Sequence, residues 1–292
     1  MGNSIDQEVC IKCKFCIEVC PCKIIGINDR DEVYFIQGRE SICQQCGQCM
    51  AVCSTKAVLI EGLSYEKDLF DLPVNSIGYN DFIYFLSNRR SVRNYKDKSI
   101  PPGVINQILE SISYAPYGAE PHKVSITVIN NRTRIESALP HIAGFLDNIV
   151  KWMEHPVISR IIKRRNSIEK FNTIRNHLYP IARMGNYKLE FGDRITRGAP
   201  ALIIFHAESG AEEHTDNSLI YATYAMLTAL SLGLGAAMNS IVAAAVNKVP
   251  EVKEIFEIPE DHEAIVSVIL GYPKYKYKRA IKRPYQKINV IN

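Results

Sequence analysis

All nine cysteines of the chain lie within its first 53 residues, and eight of them form two identical runs. Cys10, Cys13, Cys16 and Cys20 make the first. Cys43, Cys46, Cys49 and Cys53 make the second, each 33 positions after its counterpart. Both read C-x2-C-x2-C-x3-C, an internal repeat with metal-ligand spacing. Four thiolates hold a 4Fe-4S cube, which transfers electrons. Structural zinc takes its ligands in pairs, usually with longer gaps between the pairs, so triplets with a fourth cysteine at i+10 fit zinc poorly. Cys22 falls outside the repeat and is expected to be an ordinary free thiol.

A second chemical signal is Arg89-Arg90-Ser91-Val92-Arg93. Three guanidinium forks and a hydroxyl within five positions match the oxygens of a phosphoryl group. Taken alone, such a string is more often the mark of a solvated basic turn.

The elements that must position these groups are legible around them. Ile24, Ile25 and Ile27 face Val33 and Phe35 across Asn28-Asp29-Arg30-Asp31, which predicts a hairpin. Pro21 and Ser54, each directly after a last cysteine, are expected to start helices. Tyr79 to Ser87 carries a helical pattern that runs into the arginines. Pro101 and Pro102 open a helix with Ile105, Ile108 and Ile112 on one face, followed by a Tyr114–Pro116 turn and a strand at Val124–Ile129. Strands are expected at Ala201–Phe205 and Ala264–Leu270. A helix should carry Ile142, Phe145, Leu146 and Ile149, inside an otherwise weakly patterned stretch, 131–196, that suits a lid. From Asn217 to Asn247 there is neither a charged residue nor a histidine. Its Ala-rich, Gly- and Ser-containing composition favours a buried or subunit-interface helix over a membrane span.

Bulk properties narrow the class. The 292 residues fit about two domains, with 47% hydrophobic and 23% charged residues, as in ordinary globular proteins. The net charge of +4 divides into −1 for residues 1–60 and +5 for the rest, too little to point to nucleic acid. The N-terminus shows no signal-peptide pattern, so the cysteines are expected as thiolate ligands in a reducing, cytoplasmic setting.

Two resemblances follow from these motifs. Residues 4–60 resemble a bacterial-type two-cluster ferredoxin, with Ser54 where that family usually has proline. The resemblance implies crossed ligation, in which the fourth cysteine of each run serves the other cluster. One 4Fe-4S cluster would then take Cys10, Cys13, Cys16 and Cys53, and the other Cys43, Cys46, Cys49 and Cys20. From about 78 to 285 the order of motifs resembles the nitroreductase family of FMN enzymes. These motifs are the RRSVRNY run, the Pro-started helix, the Ala115-Pro116 turn with Glu120-Pro121, Arg197-Gly198-Ala199-Pro200 before a strand, Leu232-Gly233-Leu234-Gly235, and Gly271-Tyr272-Pro273 before a basic tail.

That likeness implies FMN phosphate and ribityl contacts from Arg89, Arg90, Ser91 and Arg93, and a phosphate contact from Arg279 or Lys278, with Arg283 as an outer candidate. It implies ring contacts from Tyr117, Gly118 and Glu120, and from the segment Ala237, Met238, Asn239 and Ser240. The asparagine that the family carries before Gln-Pro is missing here. The fold implied is α+β: a ferredoxin domain at 1–62, a linker at 63–77, and at 78–292 a nitroreductase-like sandwich with a central, mainly antiparallel sheet flanked by helices.

The function implied is that of an iron–sulfur flavoprotein oxidoreductase. Its clusters would feed single electrons to FMN, which reduces a small organic acceptor such as a nitro compound, quinone or enone. Reduced ferredoxin or NAD(P)H is the expected donor. No nucleic acid or membrane partner is expected, and Asn217–Ala245 is expected to form a homodimer interface. Two other readings remain open at this point: an electron carrier whose C-terminal domain docks a partner, and a flavin-modifying or dehalogenating relative.

Overall fold

The computed structural model describes residues 2–74, 76–118 and 123–291. It divides into two compact units, 1–77 and 78–292.

The first unit is built from two short antiparallel pairs and two short helices. Strands β1 (Ser4–Ile5) and β4 (Val58–Leu59) pair with Ile5 opposite Val58. Strands β2 (Ile25–Ile27) and β3 (Val33–Phe35) form the expected hairpin, Ile25 opposite Phe35. Helix α1 (Phe15–Val19) and helix α2 (Gln48–Ala51) each lie within a cysteine run. Both end before the last cysteine, so the expectation that Pro21 and Ser54 start helices is corrected: each opens a turn that leads to a strand. The proline and serine take the first position of a turn, as their backbone preferences also allow.

The 33-residue repeat is written into the backbone as well as the thiols. Lys12 and Gln45, Lys14 and Gly47, and Lys23 and Lys56 form three pairs 33 apart, and all six adopt positive φ between 49° and 69°. Only Gly47 does so without steric cost, because five of the six carry a Cβ that crowds the backbone there. Such strain persists where surrounding structure dictates it. The core is small: Ile24, Ile25, Val33, Met50, Val58 and Ile60, together with Cys16, Cys20 and Cys49. Leu63, Tyr65 and Leu69 pack against it. The segment expected as a linker therefore carries part of this unit's apolar surface.

The second unit is a sheet covered on both faces. Its elements run α3 (Tyr79–Asn88), α4 (Pro102–Ile112), β5 (Val124–Ile129), α5 (Arg132–Glu154), α6 (Pro156–Arg165), α7 (Ile168–Thr173), α8 (Tyr179–Arg183), β6 (Ala201–Glu208), α9 (His214–Ser231), β7 (Gly235–Met238), α10 (Ser240–Val246), α11 (Pro250–Ile255) and β8 (His262–Gly271). The sheet order is β5-β6-β8-β7, antiparallel throughout. Because side chains alternate along a strand, β6 feeds two cores. Ile203 and Phe205 join Ile108, Ile112, Tyr221 and Ala225 of α4 and α9 on one face. Leu202 and Ile204 join Ile142, Leu146, Val242 and Phe256 on the other. Burial on both faces explains the uninterrupted apolar run Ala201–Phe205.

The uncharged stretch from Asn217 is not one helix. Helix α9 stops at Ser231, Gly233 turns the chain at φ 74°, and residues 235–238 become the edge strand β7 before α10 begins. Pairing with β8 overrides the helix preference of its alanines. No helix of the described residues is long and apolar enough to cross a membrane.

Candidate functional site

The eight repeated cysteines gather into two cavities in the first unit. Cys10, Cys13, Cys16 and Cys53 line one, and Cys20, Cys43, Cys46 and Cys49 line the other. The fourth thiol of each run has crossed to the opposite set. The electrostatics agree. Burial raises the Cys16 thiol above its ordinary value, the Ile17 N–H opposes this, and Cys53, Cys10 and Cys13 add to it. Cys49 is pushed up to about 11 by burial, against the Met50 N–H, with Cys46 and Cys20 adding. At Cys53 burial acts in the same direction, but it is outweighed by the N–H of Val58, the hydroxyl of Thr55 and the N–H of Ala57, which lies 3.2 Å from Sγ. Four converging thiols that mutually oppose ionisation are a donor set in want of cations. Cys22 lies at the rim of the second cavity.

In the second unit the Arg89–Arg93 run crosses the end of β7. The Val92 N–H donates to Ala236 O at 3.1 Å, and Ser91 is bridged to Ala236. The approach is close: a Cβ on Gly235 would stand 2.5 Å from Val92, so a side chain there is excluded. Further on, Lys96 N–H donates to Tyr272 O and Lys274 N–H to Asn94 O. Tyr95 is buried, and its hydroxyl donates to Val92 O at 2.6 Å. Two distant segments, 89–96 and 272–280, thus enclose a cavity of about 910 Å³, floored by Gly233, Leu234, Gly235 and Ala236. Arg89, Arg90, Lys96, Lys274, Lys276, Lys278 and Arg279 line it, and no carboxylate among the described residues does. The Arg90 guanidinium donates to the carbonyls of Ser87, Arg89 and Arg279, while its buried Nε has no partner.

A smaller cavity, about 160 Å³, lies on the other side of the same run. Arg93, Met238, Asn239 and Ser240 line it together with Tyr187, Arg194 and Arg197.

Comparison with known proteins places this geometry. The Nitroreductase family model matches residues 86–272, and a 4Fe-4S dicluster domain model matches residues 9–57. The chain belongs to the nitroreductase family. It carries the dicluster domain in front of its nitroreductase domain. FMN reductase (NAD(P)H) of Bacillus subtilis strain 168 is 22% identical over 211 residues, covering 72% of this chain and 73% of that protein. The fold is shared with two nitroreductases solved with bound FMN. That of Bacteroides fragilis gives a TM-score of 0.54 at 22% identity, over 73% of this chain and 100% of its own. That of Desulfitobacterium hafniense gives 0.53 at 19%, over 72% and 97%.

Within the nitroreductase domain the structure sorts the expected residues. Arg89, Arg90, Lys278 and Arg279 share the large cavity, Arg93, Met238, Asn239 and Ser240 share the small one, and Ser91 lies between. Arg283 lines neither. The terminal nitrogens of Arg90 hold backbone and so fasten residue 279 to the end of α3. Asn239 does not supply the missing ring-directed amide. Its Oδ1 caps α10 at Ile241 and Val242 N–H, and its Nδ2 donates to Ile195 O at 2.7 Å. Tyr117 and Gly118 line neither cavity; Gly118 N–H donates to Asn217 Oδ1 at the start of α9. Glu120 lies outside the described residues.

Tyr187, Arg194 and Arg197 were missed by sequence reasoning, as were the lysines at 96, 274 and 276. Lys274 and Lys276 could have been found from the excess of cations after Gly271. Arg197 stood in the Arg197-Gly198-Ala199-Pro200 motif but was given no role, and Tyr187 and Arg194 carried no local signal.

Proposed function

We propose that this chain is an FMN- and iron–sulfur-dependent oxidoreductase. Its dicluster domain acts as an attached electron inlet, and its nitroreductase domain reduces a small organic acceptor. The observation that carries the reading is the 910 Å³ cavity, whose cations converge from two segments about 180 residues apart with no opposing carboxylate among the described residues. Its volume is within the range of cofactor sites, roughly 300–1,000 Å³. Its charge suits the 5′-phosphate of FMN.

In this assignment Arg89, Lys278 and Arg279 hold the phosphate, and Arg90 fixes the tail that presents Arg279. Ser91 and Arg93 would hold the ribityl chain, and Arg93, which shares a cavity with Met238–Ser240, would supply positive charge to the bound ring. FMN exchanges two electrons and each cluster one, which is the chemistry the bound groups supply. Joining both in one chain raises their effective concentration for each other. Nitro compounds, quinones and enones are the acceptor classes we assign, with reduced ferredoxin or NAD(P)H as donor. The working form is a homodimer in a reducing compartment, joined along the uncharged α9 surface.

The test is an anaerobic titration of the purified chain with NAD(P)H and, separately, with reduced ferredoxin, followed at the flavin and cluster absorbances. Bleaching of both chromophores by one donor is the expected result. A chain that purifies without flavin defeats the reading. So does one whose clusters reduce while its FMN stays oxidised.

A further inference from the structure

The 160 Å³ cavity is too small for a whole ligand, given that such sites run to roughly 300 Å³ and above. It is sized for a substituent. Arg93, Arg194 and Arg197 line it, and no carboxylate among the described residues does. Like charges on a solvated face are free to diverge. Here the loop that carries two of them is fixed.

The fixing group is Asp193. Its carboxylate accepts from the N–H groups of Ile195 at 3.0 Å, Thr196 at 2.7 Å and Gly198 at 2.9 Å. It also accepts from the Thr196 hydroxyl and from Arg132 Nη1 at 3.0 Å. Burial alone would raise this carboxyl. The Thr196 hydroxyl, the N–H groups of Gly198 and Thr196, and the charge of Arg132 bring it below its ordinary value instead. Ile195 is buried, and its carbonyl is tied to Asn239 Nδ2, which links the loop to the segment Met238–Ser240. Arg197 is held at φ 64°, a conformation an arginine does not choose unaided. Arg194 is braced by Asn186 Oδ1 at 3.2 Å and lies 5.2 Å from the Phe191 ring centre. These contacts fix the backbone of the loop and the side chain of Arg194.

We propose that Arg194 and Arg197 form an anion subsite beside the flavin segment, and that the acceptor reduced there carries a carboxylate. The planar forks of arginine match a carboxylate in paired hydrogen bonds. The carboxylate would anchor one end of the substrate, with its reducible group directed toward Met238–Ser240. Arg93 belongs to the cofactor assignment; the other two come from a separate loop and recognise the substrate. The inference rests on the FMN reading above.

The test uses the purified full chain with a matched pair of probes, 4-nitrobenzoate and its methyl ester, in the wild type, in R194Q/R197Q and in R197K. Glutamine adds no new backbone strain at position 197. The wild type is expected to favour the acid over the ester by about tenfold or more in kcat/KM, chiefly through KM. R194Q/R197Q is expected to lose that preference while its ester kinetics and FMN content stay unchanged. R197K should keep most of the preference. Calorimetry gives a readout independent of turnover: benzoate binding should weaken by about tenfold or more in the double variant.

Equal use of acid and ester by the wild type, with FMN retained, overturns the subsite alone. Loss of FMN from R194Q/R197Q also overturns it, by returning the arginines to the cofactor. A wild-type chain that holds no FMN overturns the underlying reading, and with it the placement of the subsite beside a flavin.

Discussion

In the first unit the ligands are part of the core. Cys16, Cys20 and Cys49 are each 7% exposed and sit in one apolar cluster with Ile24, Val33 and Met50. In the second unit the groups assigned to the cofactor stay at the surface, and the two cores flanking the sheet are complete without them. The contrast is one of dependence. A domain of this size has little apolar area to bury, so metal binding and folding become a single equilibrium. A sheet covered on both faces folds on its own and can carry a site whose residues are set by binding alone.

The comparison is most easily broken at the thiols. Cys16→Ser or Cys49→Ser is expected to abolish the structure of residues 1–77 while leaving 78–292 folded. Loss of cluster absorbance, with proteolysis confined to the first unit, checks it; a cooperative loss of both units would show that the second also depends on metal. Next in size is Phe205→Ala, with Phe205 fully buried between α4 and α9. It should cost about 3–5 kcal/mol in the second unit and leave the cluster absorbance unchanged, as denaturant melts followed at both signals would show.

A third effect comes from acid. His206 is 3% exposed, with Thr127 Oγ1 at 2.9 Å from Nε2 and His262 Nδ1 at 2.8 Å from its own Nδ1. Its pKa is lowered to about 4 by burial first, then by His262 and Lys253. The unfolded chain therefore binds this proton more readily than the folded one. Stability is full above about pH 6.5 and falls from there down to about pH 4, by on the order of 3 kcal/mol. Melting temperature against pH should show that slope in the wild type and a flatter one in His206→Gln.

The smallest effects belong to the surface site. Arg279→Ala should weaken FMN binding by about tenfold, near 1.4 kcal/mol, without shifting the melting temperature of the flavin-free chain. Arg90→Ala should weaken it too, by loosening the tail that carries Arg279. Flavin retention on dialysis measures both, and a variant that unfolds instead would blur the contrast between the units.

What could be seen in the sequence divides along physical lines. The cysteine runs were legible because cluster geometry constrains spacing directly. Strand β6 was legible because two-sided burial leaves an unbroken apolar run. The Arg89–Arg93 run was visible as chemistry, but Arg90's hold on the Arg279 carbonyl depends on a partner 189 positions away. Residues 235–238 were hidden because their strand character comes from β8, not from Gly-Ala-Ala-Met itself. The roles of Arg194 and Arg197 were hidden for a related reason. What aims them is Asp193, and what anchors Asp193 is Arg132, 61 positions earlier.

The crossed thiol sets also impose an order on synthesis. Each cavity takes one of its four sulfurs from the other run. A chain growing from its N-terminus holds Cys10, Cys13, Cys16 and Cys20 early, yet these four do not make one cage. The second cage closes only with Cys49 and the first only with Cys53, so within a few residues of elongation both become complete. Iron delivered before residue 49 emerges therefore meets only partial cages, and the second cage is complete before the first.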